Sequence, residues 1–248
     1  MFGRFSLSAV CFLVLVAVAI ATSGALAQGS PDVFVTPIPH APFTGVINVE
    51  RSIVRGDGSG SIINLKTMRQ IGRDSQGRIY NESRTLVPMS SRKTPKVVSV
   101  HLYDPQTRVS IILNPQERTF STRTVNHPPA TVPLALLYAS PTGNTLPQNE
   151  FTKEEDLGVR EMEGETVHGV REIQTIPAES SDTGKEIVII DEYWYSDELR
   201  INLGITHRDP RTGSVTMTVT QIARTEPDPA MFEIPDEYRA PRGRRGTE

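Results

Sequence analysis

Val215-Thr216-Met217-Thr218-Val219-Thr220 alternates apolar and polar residues without a break. Successive side chains on a strand point to opposite faces, so this stretch reads as a strand with one buried face and one wet face. Asp209-Pro210-Arg211-Thr212-Gly213, just before it, is a loop of hairpin length. Leu199 to His207 lies beyond that loop, and Glu186 to Tyr195 and Thr166 to Ile176 precede it, each patterned with a period of two. The last two flank a polar loop ending at Gly184, and a Glu163-Gly164-Glu165 turn leads back to Leu157 to Met162.

The first half is written in the same style. Phe43, Gly45, Ile47, Val49 and Ile53 fall on one face of a strand over Phe43 to Val54, and the triple-glycine segment Arg55 to Gly60 supplies a turn. Ile62 to Ile71, the turn Asp74-Ser75-Gln76-Gly77 and Arg78 to Leu86 continue the series, which Pro88 to Pro95 interrupts. Val97 to Tyr103, Arg108 to Leu113 and Arg118 to Val125 form a meander. Its turns place Pro105 and Pro115 second after Asp104 and Asn114, as type I geometry favours. The total is about ten strands with few short helices. Alternation of this kind indicates a mainly β, antiparallel fold, a strongly curved sheet or incomplete barrel, because parallel sheets show continuous apolar runs with helices between them.

The 248 residues are 37% hydrophobic, and 18 Gly and 19 Pro fall well short of the roughly 25–30% that marks disorder. Arg4, the apolar run Ala9 to Ala21 and the small-x-small site Ala25-Leu26-Ala27 read as a secretory signal peptide over 1–27. A run of 13 residues spans about 20 Å as a helix, short of the roughly 30 Å hydrocarbon core, so no transmembrane segment is expected after cleavage. The lone cysteine, Cys11, leaves with that segment, which excludes disulfides, thiolate catalysis and Cys-ligated zinc in the mature chain. Losing Arg4 leaves 25 basic and 29 acidic residues, a net charge of −4 that does not suggest nucleic acid. The rest divides into a Pro-containing lead (28–42), one β domain (43–238) with a long loop at 126–150, and a basic flexible tail (239–248). Loops of that length inside compact domains are uncommon and often serve binding.

Little in the chain spells chemistry. The histidines His40, His101, His127, His168 and His207 show no metal-ligand spacing, and neither a metal nor a cofactor is expected. His207 shares a strand face with Leu203 and Ile205 and reads as a satisfied histidine at the core edge. Ser59 and Ser61 lack a Gly-x-Ser-x-Gly elbow. Glu154-Glu155-Asp156 reads as a solvated charge run, and Asp191 and Glu192, adjacent on one strand, point to opposite faces. Tyr193-Trp194-Tyr195 is the densest aromatic feature. Alternation puts Tyr193 and Tyr195 on the face of Asp191, with Trp194 facing away beside Val188 and Ile190. Two readings stand: Trp194 anchors the core while the tyrosines pack across strands, or the rings line a groove for an apolar or glycan ligand. On the second, Tyr193, Trp194 and Tyr195, with Leu136 and Tyr138 of the long loop, are the candidate ligand-binding residues.

Arg73-Asp74-Ser75-Gln76-Gly77-Arg78, Gly164-Glu165-Thr166-Val167-His168-Gly169, Trp194-Tyr195-Ser196-Asp197-Glu198-Leu199 and Glu226-Pro227-Asp228-Pro229-Ala230-Met231-Phe232-Glu233-Ile234-Pro235, in that order, resemble an uncharacterised group of exported bacterial β-rich proteins. More distantly, a series of antiparallel strands ending in Pro-Asp-Pro-x-x-Phe-x-Ile-Pro is similar to periplasmic lipoprotein carriers of the LolA/LolB type. That resemblance implies a curved, incomplete barrel with an apolar concave face. The sequence departs from it in having no long plug helix.

The reading that follows is an exported, periplasmic or extracellular, non-catalytic binding protein of the cell envelope. Its expected partner is a lipid, apolar ligand, peptide or envelope protein held on the concave face. The alternative is a cell-envelope hydrolase in which Asp191, His168, His207 or Glu192 converge.

Overall fold

The computed structural model describes residues 32–126 and 149–240. The expected signal segment, Cys11, His127, Leu136, Tyr138 and the tail from residue 241 lie outside the described residues. The strands are β1 (Phe43–Val54), β2 (Ile62–Arg73), β3 (Ile79–Arg84), β4 (Val87–Pro88), β5 (Val97–Asp104), β6 (Val109–Asn114), β7 (Thr119–Thr124), β8 (Thr152–Met162), β9 (Glu165–Ile176), β10 (Ile187–Ser196), β11 (Ile201–Asp209) and β12 (Gly213–Ala223). Helix among the described residues is confined to two short 3-10 turns, Ala178–Ser180 and Pro229–Phe232. The expected antiparallel series is present. β8 starts five residues ahead of the expected Leu157, because its first half is an edge strand whose charges leave no apolar alternation to read. The Pro-rich interruption contributes the two-residue β4, paired with β2 through Leu65 and Lys66.

All strands join one open antiparallel sheet in the order β7-β6-β5-β3-β2-β1-β12-β11-β10-β9-β8, with β4 beside β2. The first and last strands therefore meet in the middle, and β7 and β8 are the two edges. Ile47 lies opposite Val219, and Val49 opposite Met217. Met217 in turn lies opposite Ile205, so this face, the core face, is continuous across β1, β12 and β11. Phe43, Ile47, Ile71, Leu203, Ile205 and Val219 are buried there. Each such side chain contributes about 1.5–3 kcal/mol by leaving water.

In a single-layer sheet something other than a second sheet must cover that face. Part of the cover is the lead, whose Val33 and Val35 are buried while Phe34 between them is exposed. From residue 32 on, the Pro-containing lead packs as a strap. Fully buried Arg73 fastens it, donating from Nε to the Ala41 carbonyl, from one terminal nitrogen to the Thr36 carbonyl and from the other to the Leu199 carbonyl, each at 2.8 Å. Its guanidinium lies 5.0 Å from the centre of the Phe43 ring. Burial pulls the Arg73 pKa down to about 10, which leaves it charged at neutral pH. The Asp74 carboxylate shapes the following turn, accepting from the Gln76 and Arg78 amides at 3.0 and 2.8 Å. Gly77 closes it at φ +85, where a Cβ would stand 3.1 Å from the Pro37 and Ile38 backbone. Glycine is required there by both conformation and space.

On β5, β6 and β7 the apolar side switches to the opposite face, whereas Ile79 of β3 still belongs to the first core. Val100, Leu102 and Leu113 form a second buried cluster with Tyr80, Ile111 and Phe120, covered by Ile234 and Tyr238 of the C-terminal segment. That segment turns at Asp228, which caps the 3-10 turn by accepting from the Ala230 amide at 3.0 Å. It finishes on β7, where Arg239 accepts from the Phe120 amide and donates to the Arg118 carbonyl. The chain is thus still paired at the first residue of the expected tail.

Candidate functional site

Register sorts the aromatic triplet on β10. Tyr193 pairs with Ile205 on the core face, whereas Trp194 pairs with Gly204 on the opposite face. Tyr195 follows a bulge and is buried at 6% exposure. The three rings do not line one groove. Trp194 alone opens into a cleft of about 400 Å³, whose lining includes Leu157, Arg160, Met162, Arg171, Glu192 and Gly204.

Two glycines seat the indole that walls this cleft. Trp194 also pairs with Gly169 on β9, where a Cβ would stand 2.5 Å from the indole ring; at Gly204 it would stand 3.3 Å from it. The indole therefore lies flat across two strands that carry no side chain beneath it. Mid-strand glycines at a close approach are the sequence signal for such a site, and Gly169 and Gly204 were not read that way. The Arg160 guanidinium stacks 3.5 Å from the ring centre on the outer side. Among the described residues no carboxylate lies within ion-pair distance of Arg160. Arg171, by contrast, bonds Glu155 at 2.9 Å and Glu192 at 3.0 Å, and those carboxylates push its pKa up.

The core face of the same strands carries acids. Glu172 on β9 lies opposite Glu154 on β8 and Asp191 on β10, and Asp191 lies opposite His207 on β11. Asp191 and His207 form a hydrogen bond of 2.7 Å, which satisfies His207 at the core edge as expected. Glu172 is 6% exposed, and its Oε1 has no hydrogen-bond partner among the described residues. Burial pushes the Glu172 pKa up to about 7, with repulsion from Asp191 and then Glu154 adding to it. Burial likewise raises Tyr193, followed by the charges of Asp191 and Glu172. Sequence reading did not single out Glu172, because only the register brings it beside Asp191.

Of the residues proposed to converge for hydrolysis, Asp191 and His207 meet. His168 bonds Asp156 at 2.9 Å on the β8 edge, and Glu192 lies on the opposite face. Among the described residues no hydroxyl bonds His207, and no three His, Cys, Asp or Glu side chains are grouped to hold a metal. No helix among them is long and apolar enough to cross a membrane.

No protein-family profile and no curated protein matches the chain. Solved structures give distant likenesses. A chain of the Pseudomonas aeruginosa MucA/MucB complex is 10% identical with a TM-score of 0.38, the match covering 79% of this chain and 56% of that one. This chain therefore spans little more than half the length of that relative. A LolA superfamily protein from Nitrosomonas europaea is 9% identical, TM-score 0.32, over 80% of this chain and 92% of that one. A DUF1329 family protein from Desulfovibrio piger is 12% identical, TM-score 0.28, over 80% and 91%.

Proposed function

We propose that the protein is an exported, non-catalytic binding protein of the cell envelope that holds an apolar ligand or an apolar peptide side chain in the Trp194 cleft. The observation that carries this is the half-buried indole laid over Gly169 and Gly204, with Leu157 and Met162 beside it. The part of the indole left open beside Arg160, with the aliphatic groups and threonines around it, offers contact area with a polar rim, the common composition of small-ligand sites. The unneutralised Arg160 favours a ligand that carries an anionic group next to its apolar body. Tyr193 and Tyr195 support the strand from the core side, so Trp194 is the ring of the triplet assigned to the ligand. Export rests on the leader pattern in the sequence.

Native mass spectrometry of protein purified from its own envelope tests the reading. A bound lipid, amphiphile or peptide, displaced on substitution of Trp194 by Leu, is expected. A protein that is empty in repeated preparations would overturn it.

A further inference from the structure

The core face behind the cleft holds a second set of groups that the cleft does not use. Glu154, Glu172 and Asp191 sit directly opposite one another on three adjacent strands. Like charges placed so are unfavourable, and of the three only Asp191 has a cross-strand hydrogen-bond partner among the described residues. Asp191 is bonded to His207, but the Glu172 Oε1 is buried between the other two acids with no donor. A buried carboxylate oxygen left unpaired costs about 1–3 kcal/mol or more, and native proteins supply such atoms with a partner. The half-buried Tyr193 ring stands beside these acids on the same face, and its charge coupling is to Asp191 and Glu172.

From this geometry we infer a receptor for an organic cation, an ammonium or guanidinium group, formed by Glu172, Asp191 and Tyr193 on the core face of β9 and β10. Carboxylates supply charge and acceptors, and an aromatic face attracts a poorly hydrated cation. An organic cation fits better than a metal ion, because the acids are spread along a row and, among the described residues, no three ligating side chains are grouped around a point. This site is separate from the Trp194 cleft and stands or falls independently of it.

The charged or titratable groups facing Glu172 are Glu154 and Asp156 on β8, Asp191 and Tyr193 on β10, and His207 on β11. Arg171 and Glu192 point to the other face. With Glu172 titrating near 7, it is mostly protonated at pH 6 and ionised at pH 8. A cation that stays charged across that range should bind about tenfold tighter at pH 8 than at pH 6.

Butylammonium chloride is a suitable probe, with butanol as its uncharged counterpart, followed through the Tyr193 ring and His207 imidazole resonances. Saturable shifts with butylammonium alone are expected, tighter at pH 8, with the pH dependence lost in Glu172→Gln. Arg160→Ala should leave this binding unchanged. Equal shifts with butanol, a pH dependence that survives Glu172→Gln, or saturation by calcium chloride in place of butylammonium would overturn the assignment.

Discussion

Glu82 and Glu172 are equally buried, each 6% exposed, on opposite wings of one sheet, and their surroundings drive them in opposite directions. On the β3 wing, Glu82 accepts from the Arg84 guanidinium at 2.6 Å, the Tyr80 hydroxyl at 2.8 Å and the Gln70 amide at 3.1 Å. Burial alone would raise its pKa, but those donors outweigh it and hold the carboxyl below the usual range. On the β9 wing, Glu172 faces two further acids and one of its oxygens has no donor. A buried charge is tolerated only when its lone pairs are satisfied, so the Glu82 carboxylate is electrostatically complete and that of Glu172 is not.

The rest of each wing agrees. The β3–β7 wing buries Val100, Leu102 and Leu113 under Ile234 and Tyr238, and Arg239 is hydrogen-bonded to Arg118 and Phe120 beside them. The β8–β10 wing keeps an indole half open on one face and a row of three facing acids on the other. A sheet needs stability somewhere and accessible, imperfectly paired groups somewhere else, and here the two requirements fall on different strands.

The largest expected effect comes from breaking the complete wing. Glu82→Ala strands the Arg84 guanidinium, the Tyr80 hydroxyl and the Gln70 amide, and should cost about 3 kcal/mol, read as a lowered denaturant midpoint with unchanged slope. On the incomplete wing the sign reverses. A carboxylate with a raised folded pKa stabilises below its unfolded value and loses that contribution as pH rises through the folded value. For Glu172 this window runs from the ordinary value of 4.5 to about 7. Glu172→Gln should therefore make the protein more stable than the parent at pH 8, by about 2 kcal/mol, and equal to it near pH 4, as urea titrations at both values would record. The smallest effect belongs to the exposed Arg160. Arg160→Ala should move stability by less than about 0.5 kcal/mol, while weakening the binding of anilinonaphthalene sulfonate, an apolar anion, about tenfold in a titration of Trp194 emission. The signal is clean because Trp194 is the only tryptophan.

How much of this the sequence discloses depends on range. Alternation in Val215 to Thr220 and its counterparts is local, so strand positions and the opposite facing of Tyr193 and Trp194 are legible. Turn residues were equally informative, since Asp74 and Gly77 act within five residues of one another. The lead was not legible as a strap, because its proline density outweighs the Val33-x-Val35 alternation that marks it. The switch of the apolar face on β5 and β6 depends on register and on a segment more than a hundred residues downstream. Burial of Arg73 depends on carbonyls at Thr36, Ala41 and Leu199, and the meeting of Glu172 with Asp191 depends on β9–β10 pairing. Gly169 and Gly204 are the exception, since two glycines inside otherwise regular strands do flag a close approach.

The contrast between the wings is tested most directly by a single pH titration of the side-chain carboxyl carbons of Glu82 and Glu172 by nuclear magnetic resonance in the intact protein. Glu172 should titrate near 7 and Glu82 below the ordinary value of 4.5. Two glutamates titrating together in the ordinary range would contradict the division of the sheet into a completed wing and a receptive one.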